Sequence, residues 1–139
     1  MSKPNTHQLK LQEEIIKKAS LMNTTKWQML FSIVKEINPK YIVSIKLLLE
    51  DNAREITIPS EEDIINKKYI EEYWGVFELK EIEWLFIPSK IQTERKNRDE
   101  RLTPKTHTQN TKLIAKALKN RTQFDYEELI EGIKIYGYK

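Results

Sequence analysis

The chain has 139 residues, enough for one domain that buries about two-thirds of its unfolded surface and too few for two ordinary cores. Hydrophobic residues make up 39% and charged residues 32%, a soluble globular balance unlike that of disordered or membrane-spanning chains. Cysteine is absent, which excludes disulfides, thiolate nucleophiles and cysteine-ligated zinc or iron–sulfur clusters.

No apolar run approaches the roughly 20 residues that span a bilayer, and the polar start MSKPNTHQ lacks the apolar core of a signal peptide. The expected compartment is the cytoplasm. A net charge of +3 hides two opposed stretches. Glu50 to Glu83 holds eleven acids and four bases, net −7, whereas Lys90 to Arg121 holds ten bases and three acids, net +7. Such segregation raises the local potential and steers charged partners.

Residues 1–8 read as a flexible polar tail. Leu11, Ile15, Ala19 and Met22 then recur at helical spacing, as do Trp27, Leu30, Phe31, Val34 and Ile37, predicting two amphipathic helices. Asn23, Thr24 and Thr25 separate them and supply N-caps, and Asn38-Pro39 ends the second, because proline disfavours helix in the residue before it. The period then changes to two. Tyr41, Val43, Ile45, Leu47 and Leu49, followed after Asp51-Asn52 by Ile56 and Ile58, predict a β-hairpin.

Pro59 with Ser60-Glu61-Glu62-Asp63 has the composition of a helix start, with Ser60 as cap and acids at the positive end of the dipole. Ile65, Tyr69 and Tyr73 would share its buried face. Val76, Phe77 and Leu79, then Ile82, Trp84 and Phe86, read as extended, with Pro88 closing the second segment. Residues 91–112 contain almost no large apolar side chain except Ile91 and Leu102, so a long mobile polar loop is expected. Leu113, Ile114, Ala117 and Leu118 predict a helix, Asp125 to Glu128 resembles a capping box, Gly132 reads as a C′ stop, and Ile133, Ile135 and Gly137 alternate as a final strand. The whole is one α+β domain over 1–139, with an antiparallel or mixed sheet of about four strands packed by the N-terminal helices.

Catalysis finds little support. The only histidines, His7 and His107, fall in polar stretches expected to be mobile, whereas a serine triad or zinc site needs rigid convergence. Glu78-Leu79-Lys80, with Asp63 upstream, matches the acid-x-lysine step with which restriction-type nucleases hold magnesium, but 17 Glu and 19 Lys supply such triplets by chance, Glu94-Arg95-Lys96 being another. No glycine-rich phosphate loop exists. No catalytic residue, metal site or cofactor is therefore assigned.

Two binding surfaces are left. Arg95, Lys96, Arg98, Arg101 and Lys105 would neutralise phosphates, although no aromatic between Lys90 and Arg121 offers a stacking platform. Glu61, Glu62 and Asp63 are adequate as a first helical turn, and Glu81 and Glu83 as the wet side of a strand. Glu71-Glu72-Tyr73-Trp74-Gly75 is harder to explain so. Two acids beside two large aromatics are typical of a protein interface, and Trp74 fits a core position at least as well.

Asn23-Thr24-Thr25-Lys26-Trp27, Trp74-Gly75 leading through Phe77 to Glu81-Ile82-Glu83-Trp84-Leu85, and Ile135-Tyr136-Gly137-Tyr138 together resemble a family of small uncharacterised bacterial proteins over roughly residues 23 to 139. Small single-domain proteins of this kind are similar to immunity proteins, which bind and block a toxin. The resemblance implies a non-enzymatic immunity-type or antitoxin-type inhibitor. Its acids Glu61, Glu62, Asp63, Glu71 and Glu72 would steer a protein partner, and Tyr73 and Trp74 would supply contact. The rival is a nucleic-acid-binding protein or a magnesium-dependent nuclease using the basic stretch.

Overall fold

A computed structural model describes residues 6–66, 68–72, 74–93, 105–121 and 123–139 of the chain. Helices α1 (Thr6–Lys17) and α2 (Thr24–Ile37) lead into the hairpin of β1 (Ile42–Leu47) and β2 (Arg54–Thr57). Asn23 caps α2 by accepting from the Lys26 amide at 2.8 Å, and Asn38, extended before Pro39, stops it. Then come β3 (Ile64–Ile65), β4 (Tyr69–Glu72), β5 (Gly75–Glu78), β6 (Ile82–Pro88), β7 (Lys90–Thr93), β8 (Lys105–Thr108), α3 (Thr111–Lys119), β9 (Tyr126–Glu128) and β10 (Gly132–Tyr136).

The main sheet is antiparallel in the order β2-β1-β6-β10-β9. Its register aligns Ile45 with Leu85 and Leu85 with Ile135, so alternation sends Val43, Ile45, Leu85, Ile87, Ile133 and Ile135 to one face. Onto that face α2 lays Trp27, Leu30, Phe31 and Val34, and α3 lays Ile114 and Leu118, all within one buried cluster. The first helix seats Leu11 in a smaller cluster with Leu48 and Tyr138. Two lesser sheets, β3-β4-β5 and β7-β8, complete an α+β domain of mainly antiparallel strands.

Several expectations are corrected. Residues 6–8, expected in a flexible tail, begin α1, which ends at Lys17 and leaves Ala19 and Met22 beyond it. The excursion expected over 91–112 is regular at both ends, as β7, β8 and the start of α3; residues 94–104 lie outside the described residues. The buried Gln109 ties this hairpin to the main sheet. Its side chain accepts from the Ile42 amide at 2.7 Å and donates to the Ile42 and Pro88 carbonyls at 3.0 and 2.8 Å.

No helix follows Ser60. Asp63 turns back onto the Ser60 amide at 2.8 Å and closes a single 3-10 turn, after which β-branched Ile64, Ile65 and Ile70 pair as strands around Asn66, whose φ is +52°. Asp125 to Glu128 likewise forms no capped helix. The stretch before Gly132 is too short to bury a helical face, and it pairs with β10 instead. Gly132 is no helix stop: it opens β10, where a Cβ would lie 2.2 Å from the Ile87 carbonyl oxygen. Gly132→Ala should therefore force two central strands apart. A loss of about 2 kcal/mol or more in urea unfolding is expected, and an unchanged midpoint would contradict this packing.

Candidate functional site

The three-stranded sheet is a two-faced plate. Its register places Ile64, Ile70 and Phe77 together, and Ile70 and Phe77 are buried in the core. Alternation must then turn Ile65, Tyr69, Glu71, Val76 and Glu78 the other way. Val76 is 59% exposed and Ile65 43%, with half-buried Tyr69 paired to Ile65 and diagonal to Val76. Glu71, directly across from Val76, is exposed, and Glu78 pairs with Lys80 at 3.2 Å. Two aliphatic side chains thus sit in water beside a half-buried tyrosine and carboxylates.

Of the acids expected to steer a partner, Glu62 and Asp63 are exposed on the 3-10 turn, and Asp63 is held there by the Ser60 amide and hydroxyl at 2.8 and 3.0 Å. Burial, and then the Asp63 charge, push the Glu72 carboxyl above its usual range. The Glu61 side chain and Tyr73 lie outside the described residues. Trp74 occupies the β4–β5 turn and not a helix end. Its ring stacks on Phe77 at 5.4 Å, nearly parallel, and the Arg54 guanidinium covers it at 4.4 Å. Half-buried in this stack, Trp74 is largely a packing residue.

A cleft of about 220 Å³ opens beside that stack, lined by Trp74, Phe77, Val76, Arg54, His7 and Glu81. Neither His7 nor Glu81 behaves as its local sequence implied. Glu81 is 7% exposed; one carboxylate oxygen takes the Glu78 amide at 2.7 Å and the other lies 2.8 Å from His7 Nε2, so α1 is latched to the turn before β6. The indole Nε1 of Trp74 is buried without a hydrogen-bond partner among the described residues. Arg54 is held by Glu50 Oε2 at 2.9 Å through both Nε and Nη2.

Glu83 is not the wet side of a strand either. It is the extra residue of a β-bulge, where the register passes from Lys46 opposite Trp84 to Leu47 opposite Ile82, and both Lys18 and Lys46 bond its carboxylate. On the same sheet face Lys134 Nζ lies 4.5 Å from the Trp84 ring centre and 5.2 Å from that of Tyr136. These contacts join residues far apart in sequence, and no local pattern announces them.

Of the basic residues, Arg95, Lys96, Arg98 and Arg101 lie outside the described residues; the backbone of Lys105 opens β8, beside exposed His107. Among the described residues no three His, Asp or Glu side chains converge as a metal site, and the Asp63 carboxylate is engaged by Ser60. No helix among them is long and apolar enough to cross a membrane.

Fold and surface together define a small α+β domain in which one face of a three-stranded sheet shows Ile65 and Val76 beside carboxylates. Residues 11–139 match the model of a family of unknown function, DUF6678, and the chain belongs to that family. No curated protein and no solved structure matches the chain.

The Glu83 network sets a pH dependence. Burial alone would raise the Glu83 carboxyl, but the hydrogen bonds and charges of Lys18 and Lys46 outweigh it and hold the group below its usual range. Its contribution to stability is complete above the ordinary glutamate value, about 4.3, and is lost as pH falls through the lower folded value. Glu83→Gln should therefore unfold at lower urea than the parent at neutral pH, with the midpoints converging as pH falls below the ordinary glutamate range. A gap that persists unchanged in acid would refute this account.

Proposed function

We propose that the protein is a non-enzymatic protein-binding module, of the immunity or antitoxin kind, that lays the outer face of β3–β5 against a basic surface of its partner. The observation that carries this reading is the exposure of Val76 and Ile65 beside Tyr69 on a paired sheet, bordered by Glu71 and by Glu62 and Asp63 of the preceding turn. Apolar anchors of this kind release water on docking, and surrounding acids select a cationic counterpart.

The inhibitor reading rests on analogy with other small single-domain proteins that bind and block a toxin. Its rival, nucleic-acid binding or magnesium-dependent cleavage, depends on Arg95, Lys96, Arg98, Arg101 and Lys105, whose side chains lie outside the described residues. The acids flanking the plate repel phosphate.

The test is capture of the partner by the immobilised chain from cells that produce it, followed by titration with the purified partner. The double variant Ile65→Asp, Val76→Asp should keep its circular dichroism spectrum and lose about tenfold or more in affinity. Glu71→Lys should slow association most at low salt. Equal affinity for parent and double variant would overturn the proposal. So would tight, salt-resistant binding of DNA or RNA, or magnesium-dependent cleavage lost in Lys80→Ala.

A further inference from the structure

A second surface lies at the β9–β10 hairpin, which belongs to the main sheet and not to the plate. Leu129 and Gly132 bond reciprocally, amide to carbonyl, at 2.7 and 3.2 Å, so only Ile130 and Glu131 turn the chain. Ile130 is 98% exposed and Leu129, beside it, is 38% exposed. Two-residue hairpin loops favour glycine, asparagine and aspartate, whose backbones meet the turn geometry. A β-branched aliphatic at the tip serves neither turn chemistry nor burial within this chain.

The tip is also fixed in place. The Ser89 amide and hydroxyl both donate to the Glu131 carbonyl, at 2.8 and 3.0 Å, and Gly132 is wedged against β6. Ile130 is therefore held out from a braced platform. Asp125 to Glu131 itself contains four acids and no base, while Lys134 stands across from Glu127 and exposed Lys90 follows Ser89. Asp125 holds Lys139 at 3.0 Å and Glu127 accepts from the Tyr136 hydroxyl at 2.8 Å, which leaves the exposed carboxylates of Glu128 and Glu131 without a partner among the described residues.

We propose that this hairpin is a docking prong that seats Ile130 and Leu129 in an apolar socket of a partner protein rimmed by lysine and arginine. The acids decide the occupant, since they repel anionic membranes and nucleic acid and favour a cationic rim. Two side chains bury too little for a stable complex alone, so the prong anchors part of a larger contact. The proposal stands without the reading of the β3–β5 plate.

The experiment places p-benzoylphenylalanine at position 130 of the full chain in cells that produce it, irradiates them, and identifies the adduct. The purified adduct partner is then titrated with unlabelled variants. The expected adduct is to a protein other than this chain. Ile130→Ser should unfold in urea like the parent, because the side chain touches little, yet bind the partner at least about tenfold more weakly. Glu128→Lys with Glu131→Lys should weaken binding and remove most of its salt dependence. The variant Ile65→Asp, Val76→Asp runs in parallel, so loss confined to it would separate failure of the prong from failure of the plate. No protein adduct, an adduct only with a second copy or with lipid, or unchanged affinity in Ile130→Ser would overturn the proposal.

Discussion

The bulge at Glu83 is the joint on which the rest of the architecture depends. Its carbonyl accepts from the amides of Gly137 at 2.8 Å and Tyr138 at 3.1 Å, while its carboxylate gathers Lys46 from β1 and Lys18 from just past the end of α1. One residue thus binds the centre of the main sheet to the C-terminal segment and to the approach to α2. That segment then pairs with the linker between α1 and α2, Ala19 and Lys139 exchanging backbone bonds at 2.8 and 3.1 Å. Tyr138, buried against Leu11 and Leu48, donates its hydroxyl to the Lys80 carbonyl at 2.7 Å. A half-buried carboxylate is costly to desolvate, and this one is tolerated because two ammonium groups and a fixed bulge are supplied with it.

Internal pairing of this kind changes the meaning of the acidic stretch. Its net charge of −7 suggests one broad negative field, but the fold uses many of those acids internally. Asp63 braces a turn, Glu50 holds Arg54, Glu78 holds Lys80, Glu81 takes His7 and an amide, and Glu83 takes two lysines. The exposed remainder of that stretch is narrower: Asp51 and Glu55 on the β1–β2 hairpin, and Glu62 and Glu71 near the plate. Charge counted along a chain measures potential for recognition, and charge left over after folding measures its location.

The parts legible from sequence were those in which local period and local punctuation agree. The second helix shows apolar residues at 3.6 spacing between an Asn23 cap and Asn38-Pro39, and β1, β10 and β6 beyond its bulge alternate because one face of each is core. Residues 60–73 misled because Ser60 with three acids is also the composition of an isolated capped turn. The isoleucines beyond that turn, Ile64, Ile65 and Ile70, prefer a pleated surface. The start of α1 was hidden by polarity, since that helix buries little besides Leu11 and is pinned by His7 to Glu81, 74 positions away. The stack of Arg54 on Trp74 is invisible for the same reason. Contacts between distant residues belong to the topology, and no window along the chain contains them.

Both exposed apolar features stand on β-structure whose backbone is already ordered. Val76 and Ile65 belong to paired strands, and Ile130 to a turn closed by two backbone bonds and braced by Ser89. A contact made through a flexible segment must first meet the cost of ordering it, roughly 1–2 kcal/mol for each residue fixed. Paired strands and a bonded turn meet that backbone cost in folding, so an association at these positions would still pay for side-chain ordering and lost overall motion but not for ordering the backbone. Hydrophobic residues that would ordinarily fill the core are instead displayed on paired strands and a bonded turn, with exposed Glu71 directly across from Val76 and exposed Glu131 next to Ile130.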